Sequence, residues 1–269
     1  MTELVTIEVQ DGVADVRLNR PEKMNALSQD MFAAISAAGD AIAARGDVRV
    51  VVLSGNGRAF CAGLDMGSFQ GMAGGQGAGA APVRLEPTAE RPENHAQRPA
   101  MVWKRLAVPV IAAVHGVAFG GGLQVALGAD IRIVAPDTRM SVMEIKWGLI
   151  PDMGLTQTLV DNVRLDVAKE LTFTGRIVQG EEAVKLGLAT QVAENPLEAA
   201  MAMAREIAGK SPDAIRAGKQ LLEETWRADP GKGLPLEASL QMTLMGRPNQ
   251  VEAVMSNFEK RAPKYVDRA

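Results

Sequence analysis

Ala112-Ala113-Val114-His115-Gly116-Val117-Ala118-Phe119-Gly120-Gly121-Gly122-Leu123-Gln124 runs from a β-branched segment, through three consecutive glycines, into a short apolar helix. Glycines at such a junction let a backbone come close to a ligand, and the helix start favours negative charge, so an oxyanion site is a natural use. Tight packing of a helix on a strand asks for the same glycines, and this stretch alone leaves the two readings open. The strand-to-helix order extends outward in both directions. Val5 to Val9, Val13 to Leu18, Val48 to Ser54, Val110 to Val114 and Ile131 to Ala135 read as strands, with a helix from the Ser28 N-cap to about Ala44 and another over Gly121 to Gly128. Beyond about Gly154 helices dominate: Arg164 to Thr172, Gly180 to Leu186, Pro196 to Ala208, Pro212 to Arg227 and Leu234 to Lys260, with a break near Gly246 and Pro248. The expectation is an α/β core over residues 1–195 and a helical region over 196–269.

At 269 residues and 47% hydrophobic content the chain can bury a sizeable core without disulfides, and its single cysteine, Cys61, has no intrachain partner. No amino-terminal stretch pairs basic residues with a long apolar run, which predicts a cytoplasmic protein. No run reaches the roughly 18 apolar residues of a membrane span. With 29 basic and 32 acidic residues the net charge is −3, which disfavours nucleic acid while leaving room for a small polyanion held by local lysines. The stretch from Gly71 to Pro82 carries five glycines and four alanines without periodicity. It reads as a surface loop, equally compatible with an inert insertion and with a lid.

Two further stretches carry chemistry. Ser54-Gly55-Asn56-Gly57-Arg58-Ala59-Phe60-Cys61-Ala62-Gly63-Leu64-Asp65 is a glycine-punctuated turn after a buried strand. It exposes backbone N–H groups but lacks the lysine and spacing of a phosphate loop and the dinucleotide fingerprint. Met143-Glu144-Ile145-Lys146-Trp147-Gly148-Leu149-Ile150-Pro151-Asp152-Met153-Gly154 sets two carboxylates in an apolar context, where a raised pKa suits a base at carbon. The plainer alternatives are that Asp152 caps the helix starting near Gly154 and that Glu144 pairs with Lys146 or an arginine. His95 and His115 lie at metal-ligand spacing from neither each other nor Cys61, so no metal is expected, and no serine sits in a nucleophile elbow.

In this order, these stretches and Asn19-Arg20-Pro21-Glu22-Lys23-Met24-Asn25-Ala26-Leu27 resemble the crotonase family, the enoyl-CoA hydratase/isomerase superfamily, over essentially the whole chain. The resemblance implies a spiral of ββα units, a carboxyl-terminal helical region, and a homotrimer or dimer of trimers. It implies an acyl-CoA thioester substrate, with coenzyme A part of the substrate and no separate cofactor. The thioester oxygen would be held by the N–H groups of Leu64, after Gly63, and Gly121, after Gly120. The coenzyme would lie along Lys23, Ala26, Ala62 and Asp65, with Phe258 and Lys260 as weaker candidates.

Of the two glutamates of the hydratase pattern, the second matches Glu144 and the first matches Gln124, an amide that cannot exchange protons near neutral pH. Asp152, eight residues beyond Glu144, resembles the arrangement of dienoyl-CoA isomerases, although that group has an aspartate where this chain has Gln124. An isomerase with Glu144 and Asp152 as its proton-transfer pair is therefore expected, ahead of a hydratase and of a silent acyl-CoA-binding member. Chlorobenzoyl-CoA dehalogenases also place an aspartate near position 152, but pair it with tryptophan where this chain has Glu144.

Overall fold

The computed structural model describes residues 3–67 and 91–268. The predicted loop from Gly71 to Pro82 lies outside the described residues. Strands β1 (Val5–Gln10) and β2 (Val13–Leu18) form an antiparallel hairpin, and a six-stranded sheet grows from it in the order β1-β2-β3-β4-β6-β9. Here β3 is Val50–Gly55, β4 Val110–Val114, β6 Ile131–Val134 and β9 Gln191–Val192, all parallel to their neighbours from β2 onward. A second sheet contains β5 (Val117–Phe119), β7 (Arg139–Ser141) and β8 (Val178–Gln179), in that order. The helices are α1 (Gln29–Ala43), α2 (Arg98–Lys104), α3 (Gly121–Leu127), α4 (Leu155–Thr158), α5 (Leu165–Thr174), α6 (Gly180–Leu186), α7 (Pro196–Ala208), α8 (Pro212–Thr225), α9 (Pro230–Leu244) and α10 (Pro248–Phe258).

Central parallel strands are buried on both faces and read as unbroken apolar runs. Along β3, Val51 and Leu53 join the main core with Ile35, Phe60 and Trp103, while Val50 and Val52 face a second core closed by α7. The same alternation splits β4, with Val110, Ala112 and Val114 on one side and Ile111 and Ala113 on the other. Ala200, Ala204 and Ala208 repeat every four residues on α7, so that helix presents a smooth face to the strands. The helix after Pro196 therefore belongs to the sheet's packing, and α8 to α10 follow it. There α9 contributes no buried residue, and Trp226, Leu234, Met242, Met245 and Phe258 are all exposed.

The order of strands is what places the site. Since β3, β4 and β6 are adjacent and parallel, the segments leaving their carboxyl ends emerge on one edge. Those segments are the turn ending at Asp65, the glycine run, and the path through β7 to Glu144.

Ser28 caps α1 as expected, accepting from Met31 N, and the predicted break between α9 and α10 is present. The last two helices begin at Pro230, with Asp229 as N-cap, earlier than the expected Leu234. Among the described residues no helix is long and apolar enough to cross a membrane.

Candidate active site

Asn25 builds the first wall. Wholly buried, with a left-handed backbone at φ 55°, it donates through Nδ2 to Asn56 O, Ala59 O and Phe60 O at 3.0, 2.9 and 3.1 Å, and its Oδ1 accepts from Arg20 N at 2.8 Å. One side chain thus ties the Asn19–Leu27 stretch to the turn after β3. Backbone bonds continue the seam: Leu27 N donates to Gly63 O at 2.8 Å, and Asp65 N donates to Leu27 O at 3.1 Å. Between those two bonds, the Leu64 N–H is directed away from Leu27.

The β5 strand carries the glycine run to the same place. Cys61 N donates to Val117 O and Phe119 N to Cys61 O, at 3.0 and 3.1 Å. Gly63, at φ 90°, lies so close to β5 that a Cβ there would stand 2.6 Å from Phe119 O and 3.9 Å from Gly121 N. Leu64 and Gly121, expected to act together, are therefore neighbours across this contact. Neither N–H has an acceptor among the described residues. Two free donors side by side are what a developing oxyanion requires.

The three glycines divide the two readings left open by the sequence. Gly122 is there for packing, since a Cβ would sit 2.5 Å from Cys61 O. Gly120, at φ 50°, serves the site: its missing side chain makes room for the Glu144 carboxyl, whose Oε1 would be 3.3 Å from a Cβ. Gly121 supplies the free amide, and Met153 Sδ and Leu27 Cδ1 crowd its Cα, at 2.6 and 2.9 Å from where a Cβ would be.

Glu144 is buried at the start of a 3₁₀ turn, Glu144–Trp147. Burial pushes its carboxyl above the ordinary carboxylate range; hydrogen bonds from its own backbone and from Gln124 pull it back, and the charge of Asp152 adds to the rise. Gln124 Nε2 donates to Glu144 Oε1 at 2.7 Å, and Glu144 Oε2 is buried without a hydrogen-bond partner among the described residues. The ion-pair alternative fails, because among the described residues Glu144 has no basic partner and Lys146 lies 5.3 Å from the Trp147 ring. The capping alternative for Asp152 fails as well: Gly154 is the N-cap of α4, with no side-chain cap bond. Asp152 is exposed, close enough for its charge to act on Glu144.

Lys23, Ala26, Ala62 and Asp65 fall on the seam between the first two segments. The Asp65 side chain is already engaged: it accepts from Gly67 N and pairs with Arg20 Nη1, at 2.8 and 2.6 Å, both of which hold its carboxyl below the usual range. Lys260 and Phe258 lie at the end of α10, and among the described residues no hydrogen bond or ion pair joins Lys260 to that seam. Cys61 is buried with its thiol pushed up to about 12, which makes it a packing residue rather than a nucleophile. Among the described residues no group of three or more His, Cys, Asp or Glu could hold a metal ion. Two grooves of about 650 and 620 Å³ flank α8, and neither is lined by Leu64, Gly121, Glu144 or Asp152.

Sequence reasoning missed the bond from Met153 N to Gln124 Oε1, 2.8 Å long, which makes Gln124 a bridge between Glu144 and the segment bearing Asp152. It also missed Asn25 as the residue that closes the turn after β3.

The enoyl-CoA hydratase/isomerase family model matches residues 8–268. A peroxisomal Delta(3,5)-Delta(2,4)-dienoyl-CoA isomerase of Arabidopsis thaliana is 30% identical, the match covering 98% of this chain and 96% of the relative. A mitochondrial methylglutaconyl-CoA hydratase of Mus musculus is 31% identical over 96% of this chain and 81% of its own. The solved enoyl-CoA hydratase of Bacillus anthracis superposes with a TM-score of 0.85 at 28% identity, covering 97% of this chain and 98% of that one. The chain belongs to the enoyl-CoA hydratase/isomerase family and has the crotonase fold.

Proposed function

We propose that this protein is an acyl-CoA isomerase that shifts double bonds in enoyl- or dienoyl-CoA thioesters. The N–H groups of Leu64 and Gly121 hold the thioester oxygen. Glu144 removes a proton from the acyl chain, the C–H electron pair moves into an enolate or dienolate on that oxygen, and a proton is returned at another carbon by Glu144 or Asp152. The observation that carries this reading is the Glu144 carboxyl itself: buried, raised in pKa, packed against Gly120, and with one oxygen that has no hydrogen-bond partner among the described residues.

The amide at position 124 favours isomerisation over hydration, since one carboxylate and one amide cannot both exchange protons with an attacking water. Hydration is the second reading, supported by relatives described as hydratases. A catalytically silent acyl-CoA-binding protein is the third, and a buried carboxylate with one oxygen unpartnered among the described residues weighs against it. Coenzyme A would lie along Lys23, Ala26, Ala62 to Asp65 and Gly120, with Lys260 as a further contact and no separate cofactor. The exposed apolar side chains on α8 to α10 support a homotrimer or dimer of trimers, which light scattering would check. The cytoplasmic address is kept on the single cysteine, although the two relatives above are peroxisomal and mitochondrial.

The test offers the purified protein a 3,5-dienoyl-CoA and crotonyl-CoA, each in D2O. Isomerisation predicts gain of conjugated absorbance and deuterium on the acyl chain. Brisk hydration of crotonyl-CoA without action on the dienoyl thioester would contradict it.

A further inference from the structure

Gln124 stands between the two carboxylates with both ends of its amide in use. Its Oε1 accepts from Met153 N, an obligate donor, so the amide cannot be turned round, and Nε2 must face Glu144. The side chain is 1% exposed, and its reach is 20 residues along the chain to Glu144 and 29 to Met153.

We infer that Gln124 is a positioning residue that assigns the proton-carrying role to Oε2 of Glu144 and holds the Asp152–Met153 segment at a set distance from it. This rests on the proton-transfer reading above. While Nε2–H points at Oε1, a proton on Oε1 would set donor against donor, whereas a proton on Oε2 leaves Oε1 an acceptor. The Gln124 bond therefore persists through both protonation states, and the C–H proton is taken by Oε2, the carboxyl oxygen that is buried with no hydrogen-bond partner among the described residues. The same residue reaches the oxyanion side, because Met153, whose amide it fixes, places its sulfur against Gly121.

Few other charges bear on Glu144. Lys146 is stacked over Trp147; on α5, which packs against the Glu144 turn, Asp166 and Glu170 pair with Arg164 and Arg176, and Lys169 is exposed. Asp152 is the charge that acts on it.

The experiment measures kcat, KM and the pH profile of solvent-deuterium exchange with a dienoyl-CoA for wild type, Gln124→Met and Gln124→Glu. A saturated acyl-CoA serves as the binding probe. Gln124→Met should lower kcat about 10- to 100-fold, the worth of a hydrogen bond to a charged group, with KM and probe affinity nearly unchanged. Its acid limb should move to higher pH, because a bond that favours the carboxylate is gone. Gln124→Glu keeps an acceptor for Met153 N and should fold even if Gln124→Met does not; its acid limb should also rise, as two adjoining carboxyls share a proton. Folded variants with the wild-type kcat and acid limb would overturn the inference, as would a change confined to KM. Absence of exchange by the wild type, with the probe still bound, would instead overturn the proton-transfer reading beneath it.

Discussion

The two halves of the candidate site, the proposed oxyanion side around Leu64 and Gly121 and the proposed proton-transfer side around Glu144, are built on different principles. On the oxyanion side, Leu64 and Gly121 are backbone groups, held by a dense seam of main-chain bonds and by the buried Asn25 side chain. On the other side Glu144 leaves β7 on a single 3₁₀ turn, and beyond it Ile145 to Ile150 are all exposed. Only Gln124 crosses from one half to the other among the described side-chain hydrogen bonds around Glu144. Backbone donors cannot be altered by ordinary substitution without moving the chain, whereas side chains can. On the proposed function, the first half sets the common step of holding a thioester enolate, and the second sets where protons go.

This contrast is open to test, and the largest effect falls on the proton-transfer half. Glu144→Gln should lower deuterium exchange by about 10²- to 10⁴-fold while leaving binding of a saturated acyl-CoA intact. Loss of binding with loss of exchange would join the two halves that the structure separates. Gly63→Ala comes next, since a methyl group 2.6 Å from Phe119 O must shift the Leu64 amide. A decrease of about 10²- to 10³-fold in kcat/KM is expected, the worth of one oxyanion donor, and it should strike exchange and isomerisation equally.

Asp152→Asn should separate those two activities. Isomerisation falls about 10²-fold, the low end for a positioned acid or base, while exchange at the carbon served by Glu144 survives. Equal loss of both would remove Asp152 from a separate role. Asn25→Ala tests the seam itself and should cost about 1–3 kcal/mol in a denaturant melt, because buried carbonyls lose their donor.

The smallest effect is on stability. A raised pKa in the folded state favours the protonated Glu144, so the wild type loses stability as pH rises above the ordinary carboxylate value of about 4.3. Glu144→Gln should therefore melt higher than wild type at about pH 8, with the gap closing towards pH 4. A gap that widens in acid would mean that the carboxylate is stabilised, not penalised, by its surroundings.

The two halves were also unequally legible. Glycines at 63, 120 and 121 and the long β-branched strands announce themselves in the sequence, because backbone close approach and buried parallel strands demand particular residues. Strands β5, β7, β8 and β9 span two or three residues, too few for any periodicity, so the second sheet was invisible. The glutamate and aspartate were picked out by composition, but whether they paired, capped or acted depended on Gln124, an uncharged residue 20 positions away. Amide bridges of that kind leave no spacing rule behind. Asn25 lies within the Asn19–Leu27 stretch that resembles a family signature, yet its three donated bonds are what show why an asparagine is needed there.

A crystal structure of the Glu144→Gln variant with a bound dienoyl-CoA tests the central claim most directly. The account predicts the thioester oxygen about 3 Å from both the Leu64 and Gly121 nitrogens, with a hydrogen-bearing acyl carbon facing the side chain at 144. A thioester whose oxygen meets neither amide, or whose acyl chain turns away from residue 144, would contradict it.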